Sequence, residues 1–251
     1  MKNSILNHPI IAERYFFPRY ESFENPYFVE CNGIKLACYY ENNHPKAKTI
    51  VYFHGNGETV ADYLDFFPQI FDQAGYNLLL FEFRGYGMST GKPTLVDMLS
   101  DVECVIKNLD IQQNKIIIYG RSVGTLYAVH AASVFPNSYA LILESGIADI
   151  EERIMIRLSS PTEIDSSFEE LKQEFIKHFN TKNKLSAFKG KSLVLHTVND
   201  QLVSVTHGKK LYEYLNQPKK IHLFERGDHN TIFSVNQNEY FQILFDFLKE
   251  K

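Results

Sequence analysis

Residues 116–124, Ile-Ile-Ile-Tyr-Gly-Arg-Ser-Val-Gly, constrain the fold of this 251-residue chain more than any other stretch. Three β-branched residues and a tyrosine read as a buried strand, and a helix is expected from Ser122 to about Val134. A Gly-x-Ser-x-Gly pentapeptide between a strand and a helix is the pattern of a nucleophile elbow. The turn holds Ser122 in a strained conformation, while Gly120 and Gly124 remove side chains that would collide with it. The serine hydroxyl is then presented at the carboxyl end of a sheet, beside a helix N-terminus that favours developing negative charge.

The flanking sequence supplies the rest of such a sheet. Tyr27–Cys31 and Ile34–Tyr40 are β-rich runs around Asn32-Gly33, a strong hairpin signal that predicts an antiparallel edge. Thr49–Phe53, Asn77–Phe83, Tyr139–Leu143, Ser192–His196 and Lys220–Phe224 read as further strands. The most continuously apolar of them suit a parallel sheet buried on both faces. Helices are expected at about Val60–Ala74, Leu95–Leu109, Val205–Leu215 and Gln237–Lys249, and the alternation implies right-handed βαβ units. Between Ile147 and about Lys189 it lapses into charged helical stretches at Ile150–Leu158 and Ser167–Phe179, where a lid or cap would sit. Glu13–Arg19, aromatic and broken by Pro18, suits an extended arm whose aromatic rings pack on the domain.

The length suits one α/β domain with this lid insertion. A net charge of -4 gives no basic footprint, so nucleic acid is set aside as a partner. No run approaches the roughly 18 apolar residues of a spanning helix, and the first residues lack a signal-peptide core. The expected location is therefore a cytoplasm, or outside it by a route without a cleaved signal, with peripheral membrane contact left open. Cys31, Cys38 and Cys104 are odd in number and lack metal spacing, and they are read as buried thiols in a reducing compartment. No cofactor and no metal is expected.

In a parallel sheet, ligands bind beyond the carboxyl ends of the strands, so the residues that follow each strand share one surface. Here these are His54-Gly55-Asn56-Gly57, Arg84, Ser122, Glu144, Asp200 and His229. Acyl transfer requires a nucleophile, a base, an acid that orients the base, and donors for an oxyanion. Ser122 is the candidate nucleophile, His229 the base and Asp200 the orienting acid. The backbone N–H groups of Asn56 and Val123 are the candidate oxyanion hole. His54, Gly55, Gly57 and Arg121 are supporting candidates, the two glycines letting the Asn56 backbone approach a substrate. Glu144 is the alternative acid, Asp228 a turn former, and His130, His178, His196, His207 and His222 structural. Arg84 either binds an anion or braces its glycine-rich loop.

Together these segments, with Gly85-Tyr86-Gly87-Met88-Ser89-Thr90-Gly91-Lys92-Pro93 and Gly227-Asp228-His229-Asn230, resemble the α/β-hydrolase superfamily over nearly the whole chain. Within it the chain is similar to small α/β-hydrolase-domain proteins that include protein depalmitoylases, through the Gly-Tyr-Gly-x-Ser-x-Gly-Lys-Pro run and Thr206–Tyr212. The resemblance implies serine hydrolase chemistry, and its nearer part implies thioester hydrolysis of a long acyl chain. The acylated N-terminal cysteine cluster of those depalmitoylases is not carried over, because the first twenty residues contain no cysteine. Arg153–Phe179 is longer than its counterpart there.

The expected function is cleavage of carboxylic esters or thioesters through a covalent acyl-serine, on a small-molecule, lipid or acylated-protein substrate. The alternatives are a metabolite or lipid carboxylesterase, a peptidase or an acyltransferase on the same fold, and a non-catalytic binding module.

Overall fold

The computed structural model describes residues 4–250. In chain order it holds α1 (Pro9–Tyr15), β1 (Tyr27–Cys31), β2 (Ile34–Glu41), β3 (Thr49–Phe53), α2 (Phe67–Gln73), β4 (Asn77–Phe81), α3 (Asp97–Asn108), β5 (Ile116–Arg121), α4 (Gly124–Val134) and β6 (Ala140–Glu144). Then come α5 (Ile150–Met155), α6 (Phe168–Phe179), α7 (Thr181–Ser186), β7 (Lys191–Thr197), α8 (Val205–Tyr214), β8 (Lys219–Phe224) and α9 (Ile232–Lys249), with short 3-10 turns between some of them. The strands form one eight-stranded sheet in the order β1-β2-β4-β3-β5-β6-β7-β8. The β1–β2 and β2–β4 pairs are antiparallel and all others parallel. This is the α/β-hydrolase arrangement expected from the sequence, including the edge hairpin. Asn32 and Gly33 both take positive φ, as a two-residue hairpin turn with the twist of its strands requires.

Every residue of β3, β4, β5 and β6 is buried, which is why their sequences run apolar instead of alternating. Side chains alternate across the sheet, so the core divides in two. Val51, Ile118 and Leu141 face one helix layer, while Ile50, Ile117 and Ile142 face the other. The helix α4 lies in the first layer with most of its residues buried, packed on β5 and flanked by α3 and α7.

Several local expectations are corrected. Glu13–Tyr15 ends a helix: Pro9 occupies the first turn and the His8 ring accepts from the Ile10 N–H, so only the stretch from Phe16 onward is extended. Tyr15 and Phe16 are buried, whereas Phe17 is exposed. The helix expected over Val60–Ala74 is a 3-10 turn at Val60–Tyr63 followed by α2, with Pro68 in the first turn of the second piece. Tyr63, Phe67 and Phe71 still share one buried face. The last helix begins at Ile232, earlier than the apolar spacing suggests, and kinks at Asn236, whose amide donates to the carbonyls of Arg226 and Ile232. Finally, Cys31 and Cys104 are joined as a disulfide between β1 and α3, and only Cys38 is a buried thiol. The expectation of three reduced cysteines fails because β1 and α3, 73 residues apart at these positions, pack side by side.

His130 on α4 shows how the helix layer depends on pH. Its Nδ1 accepts from Lys184 Nζ on α7 at 2.9 Å, so Nε2 carries the proton and donates to Glu103 on α3 at 3.0 Å. Burial, then the Lys184 charge, push the imidazole down to about 4. The unfolded chain therefore binds a proton below about pH 6.5 that the folded chain refuses, and stability is lost as pH falls through that window. Between pH 7.5 and pH 5 this group is expected to remove roughly 2 kcal/mol. Denaturant unfolding of wild type and His130→Gln at both pH values checks it: the variant should lose less on acidification.

Candidate active site

The elbow takes its shape from backbone contacts. Ser122 has φ 51°, a left-handed conformation that costs a non-glycine residue energy. Its N–H donates to the Glu144 carbonyl at 2.9 Å, and its own carbonyl accepts from the Thr125 N–H at 3.0 Å and the Thr125 hydroxyl at 2.6 Å. A Cβ on Gly124 would stand 2.1 Å from the Phe53 carbonyl oxygen, and one on Gly120 would stand 2.6 Å from the Ala128 Cβ. The two glycines thus let α4 press against β3 and β5. Because Ser122 is still in the turn, α4 begins at Gly124, two residues after the expected start.

Three strand-end loops meet at Ser122. Its Oγ lies 2.9 Å from His229 Nε2, and His229 Nδ1 lies 2.7 Å from Asp200 Oδ2. A carboxylate can only accept, so Nδ1 carries the imidazole proton and the Nε2 lone pair faces the hydroxyl. All three residues are buried. The other Asp200 oxygen accepts from the N–H groups of Leu202 and Val203 at 2.9 and 2.7 Å. Burial alone would push this carboxyl up, but hydrogen bonds from His196 and His229, the nearby imidazole and the Val203 N–H outweigh it, holding Asp200 well below the usual carboxylate range. Asp228 turns its carboxylate to Asn230 and Thr231 and shapes the loop that carries His229.

Beside Ser122 lies a cavity of about 110 Å³, lined by Asn56 and Val123 together with Tyr15, Phe17, Ile147 and Leu202. The side chain of Asn56 fastens the N-terminal segment across this mouth. Its Oδ1 accepts from the Phe17 N–H at 3.0 Å and the Tyr86 hydroxyl at 2.8 Å, and its Nδ2 donates to the Tyr15 carbonyl. Tyr15, Phe17 and Tyr86 were not identifiable as site residues in the sequence, because nothing local marks which loop a distant aromatic segment will cross. Arg153 and Arg157, which lie within the proposed lid segment, also line the cavity, and only that location could have drawn attention to them. His54, on the strand side of the same loop, places Nδ1 2.7 Å from the Gly55 carbonyl and Nε2 3.0 Å from Glu82 Oε1. Burial would lower this imidazole, but Glu82 outweighs burial and raises it.

Arg121, one residue before Ser122, points to the opposite side of the sheet end. Its guanidinium pairs with Glu58 and with Glu144, and donates to the His229 carbonyl at 2.8 Å. Glu144 also accepts from the hydroxyls of Tyr119 and Tyr240, so its carboxylate is engaged there while Asp200 takes the imidazole. Burial pushes Glu144 up to about 7 against the lowering effect of Arg121. Removing the guanidinium would leave Glu58, and Glu144 wherever it is ionised, without their cation, a loss of up to about 3–5 kcal/mol when both are charged. Arg121→Met is therefore expected to lower the melting temperature at pH 7, and by less at pH 5.5, where Glu144 is protonated and needs no partner. Thermal melts at the two pH values check this. Arg84 binds Asp101 of α3 through Nε and Nη2 at 2.5 and 2.6 Å, so it braces its loop.

No group of three or more His, Cys, Asp or Glu residues among the described residues is placed to hold a metal ion.

Comparisons with known proteins agree with this architecture. Residues 44–188 match the family Hydrolase_4, described as Serine aminopeptidase, S33; the match includes Asn56 and the elbow and stops short of Asp200 and His229. The human Alpha/beta hydrolase domain-containing protein 17B is 27% identical over 234 residues, covering 89% of this chain and 76% of the relative. A Saccharomyces cerevisiae protein named as an uncharacterized membrane protein is 28% identical over 237 residues, covering 91% and 80%. Among solved structures, an esterase of Pyrococcus furiosus superposes with a TM-score of 0.71 at 20% identity, covering 93% of this chain and 98% of its own. Since the family match spans more than half of the chain and the sheet order agrees with it, the protein belongs to the Hydrolase_4 family of the α/β-hydrolase superfamily.

Proposed function

We propose that the protein is a serine hydrolase that cleaves carboxylic esters or thioesters through a covalent acyl-Ser122. The observation that carries this reading is the continuous hydrogen-bonded chain from Ser122 Oγ through His229 to Asp200, at 2.9 and 2.7 Å. In the first step His229 Nε2 takes the hydroxyl proton as Oγ attacks the carbonyl carbon, and Asp200 stabilises the resulting imidazolium. The N–H groups of Asn56 and Val123 hold the negative charge that develops on the carbonyl oxygen. His229 then delivers the proton to the departing alcohol or thiol. Water, deprotonated by the same nitrogen, releases the acid and restores Ser122. Labelling by a fluorophosphonate probe tests the nucleophile; failure to label, together with no hydrolysis of any activated ester, would overturn the reading.

The acyl group is proposed to be short. Drug-sized ligand pockets run to roughly 300–1,000 Å³, whereas the cavity beside Ser122 holds about 110 Å³. A second cavity, of about 300 Å³ and lined by Tyr63, Phe66 and Phe233, lies on the far side of Arg121 and is not lined by Ser122. A long-chain deacylase, the reading the depalmitoylase resemblance suggests, would need the segment between β6 and β7 to move aside as a lid. 4-Nitrophenyl esters of increasing chain length, measured beside acyl-thioesters, separate the two: activity falling beyond short chains supports the esterase, and a rise towards long thioesters supports the deacylase.

No helix among the described residues is long and apolar enough to cross a membrane. The cytoplasmic location expected from the sequence stands against the Cys31–Cys104 bridge, because disulfides persist mainly in oxidising compartments. We infer the oxidising one. Alkylation of the denatured native protein, before and after reduction, would reveal Cys38 alone or all three cysteines.

A further inference from the structure

Two arginines line the cavity that contains Ser122, and neither has an anionic partner among the described residues. Arg153 lies in the last turn of α5, and Arg157 follows four residues later on the same side. Arg157 Nη1 donates to the Arg153 carbonyl at 2.7 Å, and its guanidinium sits 5.3 Å from the centre of the Tyr15 ring. Both side chains are half-buried. The acidic groups nearby are directed elsewhere: Glu163 pairs with Arg14, Glu152 stands 3.8 Å from His207, and Asp149 caps the start of α5. Burial, and then Arg153, lower the Arg157 guanidinium.

Like charges held together in a partly desolvated cavity raise the energy of the empty site, and an anion placed between them would relieve it. Arginines that only shield apolar surface carry their heads out to water. Here they share a small cavity with the nucleophile. A pocket built for an unsubstituted alkyl chain would show apolar side chains at these positions.

We propose that Arg153 and Arg157 form an anion subsite, and that the substrate is an ester or thioester bearing a carboxylate or phosphate group near the scissile carbonyl. This rests on the assignment of Ser122 as nucleophile. A guanidinium donates paired N–H groups to a carboxylate or phosphate, so each arginine adds one charge-assisted contact, worth about tenfold or more in kcat/KM.

The experiment uses two matched pairs of esters on the full chain. The mono-4-nitrophenyl ester of adipic acid against 4-nitrophenyl hexanoate places the charge on the acyl side, and 4-acetoxybenzoate against its methyl ester places it on the leaving group. The charged member of at least one pair should be preferred by about tenfold or more in kcat/KM, and the pair it belongs to identifies the side of the bond that carries the anion. Arg153→Gln and Arg157→Gln should each reduce this charged-to-neutral ratio, while Arg153→Lys and Arg157→Lys should keep most of it. Neutral esters cleaved as well as or better than charged ones in both pairs would overturn the subsite. Calorimetric titration with adipate and inorganic phosphate decides it even where no ester is turned over, a result that would overturn the nucleophile assignment instead. Binding weakened in the Gln variants supports the subsite, and binding that is absent or unchanged rejects it.

Discussion

Replacing Ser122 with alanine is expected to lower kcat by about a millionfold and to abolish fluorophosphonate labelling while leaving the fold in place. Among the described residues the hydroxyl has one partner, His229 Nε2, whereas the contacts that build the elbow come from the Ser122 backbone. Alanine keeps those contacts and tolerates a positive φ about as poorly as serine does, so the change in stability should stay within about 1 kcal/mol. Ester turnover, probe labelling and a thermal melt on the same preparation separate the two effects. Activity within tenfold of wild type would mean that some other group attacks the carbonyl.

The second large effect concerns Asp200. Asp200→Asn should lower kcat by about 10⁴-fold with little change in structure. The asparagine oxygen can still accept from the Leu202 and Val203 N–H groups, and its amide then faces the imidazole as a donor. His229 Nδ1 must give up its proton to accept from that amide, which leaves Nε2 protonated and unable to take the serine proton. The substitution also distinguishes the two acids at the strand ends. Were Glu144 the residue that orients His229, Asp200→Asn would cost little and Glu144→Gln much. The positions of Tyr119, Tyr240 and Arg121 around Glu144 predict the reverse. The depressed Asp200 carboxyl stays ionised throughout the range in which a folded protein is assayed, so it should contribute no limb to the pH profile of the wild type. Initial rates from pH 5 to 9 on the wild type and both variants check these expectations.

The parts of this molecule that could be read from its sequence are those whose reasons are local. Thr49–Phe53 and Ile116–Tyr119 are uninterrupted apolar runs because both of their faces are covered, and a parallel sheet follows from that fact alone. Gly120 and Gly124 mark close approaches that no other residue permits, and they give the elbow away. Ser122, Asp200 and His229 each lie in the loop that follows a strand, so the topology is sufficient to place them on one edge, and the structure brings their side chains together.

What escaped the sequence depends on partners far along the chain. Nothing near Cys31 indicates that α3 will set Cys104 beside it. The break before Phe67 follows from Pro68, yet the apolar spacing ran straight through it. In the sequence Arg153 and Arg157 are only two charges of a helical stretch in the expected lid, and it is the fold that brings them to the cavity beside Ser122. The sequence points to the Asn56 backbone, whereas in the structure its side chain is also the clasp for residues 15–17.

The separations between the residues of the proposed triad also bear on how the molecule is made. Asp200 and His229 follow the serine by long stretches of chain, 107 residues in the case of His229. A ribosome releases Ser122 well before either of them, and domains complete their folding only as their later segments emerge. Through much of its synthesis the growing polypeptide therefore carries Ser122 without the two residues that the proposed mechanism requires to activate it. On the proposed mechanism, the order of synthesis by itself keeps the nascent chain from being acylated indiscriminately.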